Sequence, residues 1–178
     1  MRASLLGVMG VMGVMGGAAL VGGCGDYAET TLLWYLKPCQ GPFPRLCPVE
    51  RNVDGQVQIV YAGVADHDLT WGVEADVEYQ VESADTHFAD EVDVWRVRKV
   101  LATRTAPLGS LLIWSQPRNE TWFTAAGEHV DAYGTAVACE PAVCNQLTTI
   151  DPVADRTIDL EYTGDPSLPL RALAVRAQ

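Results

Sequence analysis

The chain has 178 residues, with 12 lysines and arginines against 23 aspartates and glutamates, a formal net charge of −11 at pH 7. A chain this acidic is repelled by nucleic acid and by anionic membrane surfaces, so its charge argues against both as direct partners. Its length accommodates one medium-sized domain or two small ones.

The N-terminal segment is apolar and rich in glycine. Its only charge is Arg2, and it ends in Leu20-Val21-Gly22-Gly23-Cys24. A basic start, an apolar middle and small residues before a cleavage site are typical of a secretory signal. The ending resembles a bacterial lipoprotein signal, in which the cysteine accepts the lipid. We therefore predict a signal peptide over residues 1–23, lipidation at Cys24 with palmitate among the acyl groups, and a tether over residues 24–30.

The alternative is an uncleaved transmembrane helix, because residues 5–23 span about 28 Å as a helix and a bilayer core is about 30 Å thick. Their many glycines disfavour a helix, and no basic cluster follows them. Cleavage leaves 11 basic and 23 acidic residues, a charge of −12. The lipid on Cys24 then holds the protein to the bacterial cell envelope. Gly25, and not aspartate, follows the cysteine, which favours the outer over the inner membrane.

Without Cys24, four cysteines remain in two local pairs, Cys39/Cys47 and Cys139/Cys144. Four cysteines allow three connectivities, and the short spacings favour a disulfide within each pair because short loops are easiest to close. An oxidising compartment outside the cytoplasm favours disulfides as well. The competing interpretation is a zinc site of four cysteines, but the spacings differ from those of common zinc knuckles.

The rest of the chain predicts an all-β protein, because short β-prone segments alternate with turns. The clearest segment is Val73–Val81, where apolar and polar residues alternate strictly, as in a strand with one wet face. Further strands are predicted over 31–36, 57–61, 92–101, 111–114, 121–123, 133–139, 157–162 and 170–175. A linker is predicted over 103–110. The prediction is two small β modules, residues 31–105 and 106–178, built as partly open barrels or sandwich-like meanders, each with a local disulfide.

Asp54–Gly63 aligns without gaps with Asp155–Gly164, which raises the hypothesis of a duplicated module. A strand that ends in a turn produces the same pattern by chance.

The first module carries several short motifs. They are Cys39-Gln-Gly41-Pro42, Cys47 with Val49, Tyr61-Ala-Gly63-Val64, Leu69-Thr-Trp71-Gly72, the alternating strand to Val81, and Asp93-Val-Trp95-Arg-Val97 leading to Val100-Leu101. On these residues, about half of the mature chain resembles a small domain of unknown function found in bacterial lipoproteins, often beside META-type domains. The resemblance implies a secreted β-rich module with a Cys39–Cys47 disulfide. Residues 84–91 depart from it, because they lack the proline-rich turn of the relatives.

Ten acidic residues and no lysine or arginine lie between Asp54 and Trp95. Oxygen-rich loops bind calcium, and the weak candidate ligands are Asp66, Asp68, Asp85, Asp90 and Glu91. The competing interpretation is a solvated acidic face in which Arg96 and Arg98 pair across strands with Glu74, Asp76 or Glu78. His67 and His87 suggest a transition-metal site. In an extended chain, however, side chains alternate in direction, which places His67 on the face opposite to Asp66 and Asp68.

Catalytic motifs are weak. His129 and Asp131 near Cys139 suggest a thiol hydrolase, although a cysteine so close to another is more often oxidised. The sequence contains no nucleophile elbow or phosphate loop. Trp34, Trp71 and Trp95 are expected in the core. The hairpin-like segment from Trp114 to Phe123 is the place to look for an exposed aromatic contact, although core packing is the favoured interpretation there as well.

The leading hypothesis is therefore a lipid-anchored envelope protein with a non-enzymatic binding or structural role, an envelope protein as partner and no cofactor. The alternatives are a calcium-binding β module and an enzyme with an unrecognised site.

Overall fold

The computed structural model describes residues 27–39, 45–82 and 93–178. It contains two six-stranded sheets and one short helix, so the all-β class is confirmed. Within these residues, no helix has the length and apolarity needed to cross a membrane. The signal peptide and Cys24 lie outside the described residues.

The first sheet has the strand order β3-β2-β1-β5-β6-β4. Its strands are β1 (Ala28–Cys39), β2 (Arg45–Arg51), β3 (Val57–Ile59), β4 (Gly63–Ala65), β5 (Val73–Glu82) and β6 (Val94–Thr105). Neighbouring strands are antiparallel except β4 and β6, which pair in parallel.

The alternation over Val73–Val81 is confirmed as the central strand β5. Ala75 and Val77 point inward and are fully buried, and with Leu32 and Val97 they form a small core. The residues between them on β5 point to the other face, which is polar and partly exposed.

The second sheet has the strand order β7-β11-β12-β10-β9-β8. Its strands are β7 (Leu111–Gln116), β8 (Thr124–Ala126), β9 (His129–Ala132), β10 (Thr135–Cys139), β11 (Arg156–Tyr162) and β12 (Leu170–Ala177). Helix α1 (Pro141–Thr148) follows β10 and buries Leu147 against the sheet. The parallel pairing of β10 with β12 requires a crossover connection, and the segment that contains α1 and β11 supplies it.

The second core is the larger, and aromatic side chains of the first sheet complete it. Trp34, Tyr35 and Trp71 pack against a cluster that includes Trp114 and Phe123. The indole Nε1 of Trp114 donates a hydrogen bond to the carbonyl of Leu36, 3.2 Å away. The two sheets therefore share buried apolar surface.

Both disulfides pair cysteines that are close in sequence. Cys39 and Cys47 join the paired strands β1 and β2, and Cys139 and Cys144 join the end of β10 to α1. Each sheet therefore contains one local disulfide, as the spacings predict.

Several element boundaries predicted from the sequence are wrong. Residues 121–123 form no strand, and β8 begins only at Thr124. The strand predicted over 133–139 begins only at Thr135, as β10, because Tyr133 and Gly134 both have positive φ and form the tight turn after β9. Strand β6 continues to Thr105, into the predicted linker.

The aligned segments of the duplication hypothesis occupy different positions in the two sheets. The first contains β3, a three-residue strand at the edge of its sheet, and the second contains β11, which lies between β7 and β12. Their similarity is explained by local strand and turn chemistry, without a repeated architecture.

Candidate functional site

Two of the five calcium candidates, Asp66 and Asp68, lie in the described part of the chain. The carboxylate of Asp66 lies 2.6 Å from Nη1 of Arg96, so a guanidinium already occupies it. Asp68 lies in the same loop, whereas Asp85, Asp90, Glu91 and His87 lie outside the described residues. In the described ranges, no three histidine, cysteine or acidic side chains are grouped as a metal site.

The thiol-hydrolase hypothesis requires a free thiol at Cys139, and this structure has none there. Cys139 and Cys144 are bonded to each other. The Asp131 carboxylate accepts a hydrogen bond from the backbone N–H of Gly134, which closes the turn between β9 and β10. His129 lines a small cavity beside the disulfide. The arrangement is a covalent link between a strand and a helix.

Core packing, the favoured interpretation for Trp114 and Phe123, is confirmed, and neither residue offers an exposed aromatic contact. Both are buried in the second core, with 1% and 2% of their surface exposed. The hairpin is absent because β7 pairs with β11 and residues 117–123 form no strand. Trp122 is partly exposed, and its Nε1 donates to the carboxylate of Glu120.

Glu50 is a buried carboxylate that the sequence analysis did not single out. It is 3% exposed and accepts hydrogen bonds from the Thr30 hydroxyl, at 2.6 Å, and from the amide of Gln58. These three residues lie directly opposite or diagonally across β1, β2 and β3. Both carboxylate oxygens are thereby engaged in holding three strands together.

The outward face of β5 and β6 carries a ladder of ion pairs, but the predicted partners are wrong. Arg96 contacts Glu82 and Asp66, both at 2.6 Å, and Arg98 donates to Gln80. Arg104 instead contacts Glu74 and Asp76. In this register Arg104 lies opposite Glu74, and Arg96 lies opposite Gln80. The irregularity between Glu78 and Tyr79 leaves Arg98 with no residue of β5 directly opposite it.

Strand β6 has an open outer edge, which we call the β6 edge and define as Val97–Thr105. Strand β4 pairs only with residues 94–96 of β6, and β5 occupies the other side. Within the part of the chain that the structure describes, no strand pairs with the β6 edge. Every residue from Arg98 to Thr105 is exposed, and two of them, Val100 and Leu101, are large and apolar.

The chemistry of the β6 edge favours one kind of strand over another. Residues 94–105 contain four basic side chains, Arg96, Arg98, Lys99 and Arg104, and no acidic one. An open edge presents backbone N–H and C=O groups that accept an added strand. Like charges directly opposite each other are unfavourable across a strand pair. Arg96 and Arg104 already contact acidic side chains of the same module. Arg98 and Lys99 are therefore the side chains that favour an acidic extended segment over a second copy of β6.

No family model, no curated protein and no solved structure matches this chain.

Proposed function

We propose that this protein is a lipid-anchored, non-enzymatic binding protein of the bacterial cell envelope that holds an extended acidic segment of a neighbouring envelope protein on the β6 edge. The observation that carries the binding role is the β6 edge, nine residues long and exposed from Arg98 onward. Strand addition to such an edge supplies main-chain hydrogen bonds for affinity and flanking side chains for specificity.

The lipid anchor is supported by the apolar N-terminal segment and its final residues, Leu20–Cys24. A lipid on Cys24 would keep the folded part near a bilayer, since only three residues separate that cysteine from β1 and three extended residues reach about 10 Å. A multiply acylated anchor gives stable retention, whereas a single chain binds reversibly. The first module's resemblance to a domain of bacterial lipoproteins is part of the same proposal.

The test is site-specific photo-crosslinking of the full-length protein in its own envelope. A photoreactive amino acid replaces Leu101 on the β6 edge, and in the matched control it replaces Leu173, an exposed leucine on β12 of the other sheet. We expect a product from position 101, with the crosslink mapped by mass spectrometry to an extended acidic segment of one envelope protein. A product of equal yield from position 173 contradicts the proposal, as does a crosslink to a helical or basic segment.

Two further measurements separate the parts of the proposal. A synthetic peptide with the mapped sequence should slow backbone hydrogen exchange in residues 97–105 of the purified protein, and Lys99→Glu should weaken its binding by roughly tenfold through charge repulsion.

The lipid anchor is tested separately. Cys24→Ala should release the protein from membranes. Release without loss of peptide binding shows that the anchor and the edge act independently. Retention of the variant in the membrane contradicts the lipid anchor.

A further inference from the structure

A groove on the second sheet contains a buried cation with an incomplete set of partners. The groove has a volume of about 600 Å³ and lies between α1, the loop after it and the ends of β11 and β12. Arg156, at the start of β11, forms part of its wall and is only 6% exposed. This volume is typical of sites for small organic ligands.

The guanidinium of Arg156 uses one nitrogen in a hydrogen bond. Nη1 donates to the carbonyl of Gln146 in the last turn of α1, 2.6 Å away, while Nη2 is buried and has no hydrogen-bond partner. Among the described residues, no carboxylate lies within 4.0 Å of this guanidinium. An arginine keeps its charge in proteins, and buried charges are nearly always paired, so the site lacks an anion.

Two side chains near Arg156 could act as its missing partner, but neither forms a hydrogen bond with Nη2. Asp151 lines the same groove, but its carboxylate accepts the backbone N–H groups of Val153 and Ala154. These two hydrogen bonds are the main reason that the pKa of Asp151 lies below its usual value, and the positive charge of Arg156 lowers it further. Asp151 therefore compensates part of that charge at a distance, without a direct ion pair. Gln116 lies directly opposite Arg156 on β7, and its Oε1 is also buried without a hydrogen-bond partner among the described residues. That amide oxygen is neutral, so it supplies no paired anion.

The lining of the groove narrows the class of anion. Its apolar side comprises Ala142, Ile150, Pro152 and Val175, and its amides are those of Asn145 and Gln146. The ionised Asp151 disfavours a doubly charged anion such as phosphate. Nη2 of Arg156 is buried in this structure, so a ligand oxygen reaches it only after side chains at the groove move. Gln146 and Ile150 are the exposed side chains of the lining that can change rotamer there.

We infer that this groove binds an acylated amino-acid carboxylate, the chemistry shared by N-acyl amino acids and the C-terminal residue of a peptide, with the carboxylate held by Arg156. The apolar body of the ligand contacts the wall around Ile150 and Val175, and its amide group reaches Asn145 or Gln146. This site is separate from the β6 edge, since none of its lining residues belongs to the first sheet.

The test is a titration of the purified full-length protein with N-acetyl-leucine, with the neutral N-acetyl-leucinamide as its matched control. Binding is followed by the ¹⁵N–¹H resonance of the Arg156 Nε and by the thermal midpoint. We expect the acid to bind at least tenfold more tightly than the amide. A tetrapeptide with a free C-terminus, compared with the single residue, distinguishes a peptide end from a small molecule. Equal binding of acid and amide, or no change with either at millimolar concentration, overturns the inference and assigns Nη2 and Gln116 to a bridging water.

Variants keep the test independent of folding. Arg156→Gln should abolish the preference for the acid, whereas Arg176→Gln, the same change on an exposed arginine of β12, should not. Ala142→Trp fills the groove from an exposed position of α1 and leaves Arg156 in place. We expect it to weaken acid binding at least tenfold at an unchanged thermal midpoint. Unaltered binding in this variant places the ligand elsewhere and contradicts the inference.

Discussion

At the scale of single residues, the contact between the sheets depends on a glycine. Gly72 has a φ of +80°, and a Cβ atom there would overlap the ring of Tyr162 on the other sheet. Its N–H donates to the carbonyl of Trp34, and its own carbonyl accepts from Ala106. The sequence identifies Leu69-Thr-Trp71-Gly72 as a motif, but it does not reveal that an aromatic ring from residue 162 lies against this glycine.

Gly72→Ala is therefore expected to destabilise the protein by about 2–5 kcal/mol, the sum of a strained positive φ and an overpacked contact. The matched control is Gly127→Ala, since Gly127 has a φ of +77° and open space where a Cβ would lie. The control should lose only the conformational part, about 1–2 kcal/mol. Chemical denaturation of both variants checks this, and equal losses contradict the contact with Tyr162.

A second residue-scale prediction concerns acid. Hydrogen bonds from Arg104, and secondarily from the Thr31 hydroxyl, lower the pKa of Asp76 below its usual value. A carboxyl group whose pKa is lower in the folded than in the unfolded state stabilises the folded state at any pH above its unfolded pKa. This stabilisation is lost as the pH falls through the pKa of the folded state. The free energy of unfolding should thus decline below about pH 4, and Asp76→Asn should flatten that decline. An unchanged pH profile for the variant would contradict the assignment.

At the scale of elements, strand existence follows well from the sequence, whereas pairing does not. Alternation identifies β5 because each side chain's burial is set by a period of two. The register of β6 against β5 depends on two irregularities that involve backbone geometry. Alternation alone therefore did not identify the acids that Arg96 and Arg104 contact, nor the continuation of β6 into an open edge.

Helix α1 was missed for a related reason. It has eight residues, and only Leu147 is buried, so no helical periodicity is visible. A signal was present in Pro141 at the start of the helix, a position that proline favours. The disulfide from Cys139 to Cys144 closes a loop over the start of this helix.

Replacing Cys139 and Cys144 together with serine should cost about 2 kcal/mol, the chain-entropy contribution of so short a loop. Since isolated helices of this length are marginal, we also expect faster hydrogen exchange in α1 than in β11. Equilibrium unfolding and amide exchange measure the two effects. Replacement of Cys39 and Cys47 serves as the comparison, because it should leave exchange in α1 unaltered.

At the scale of the whole molecule, the two sheets share one large core. Trp34, Tyr35 and Trp71 pack against the second core, and the Trp114 indole bonds to the carbonyl of Leu36. Among the described residues, the core cluster of the first sheet comprises four buried side chains, whereas that of the second comprises eleven. The first sheet therefore depends on the second for part of its apolar burial.

We accordingly predict a single cooperative unfolding transition. Tryptophan fluorescence reports mainly on the second core, because Trp34, Trp71, Trp114 and Trp122 lie in it or against it. Circular dichroism reports on both sheets, so the two probes should give coincident curves if the sheets unfold together. Trp114→Phe, which removes the indole N–H that bonds to the first sheet, should shift both curves together. Separate transitions for the two probes would show that residues 31–105 and 106–178 unfold independently.

The sequence by itself determined the β class, the two local disulfides and the strand β5, because each depends on spacing or on alternation within a few residues. Only the tertiary structure decided which strands pair, where β6 remains open, and that Arg156 is buried beside a groove with an unpartnered nitrogen. These features depend on groups far apart in the chain, such as Gly72 with Tyr162 and Trp114 with Leu36. Long-range packing and backbone register are not encoded in any short pattern, and for that reason local analysis could not reach them.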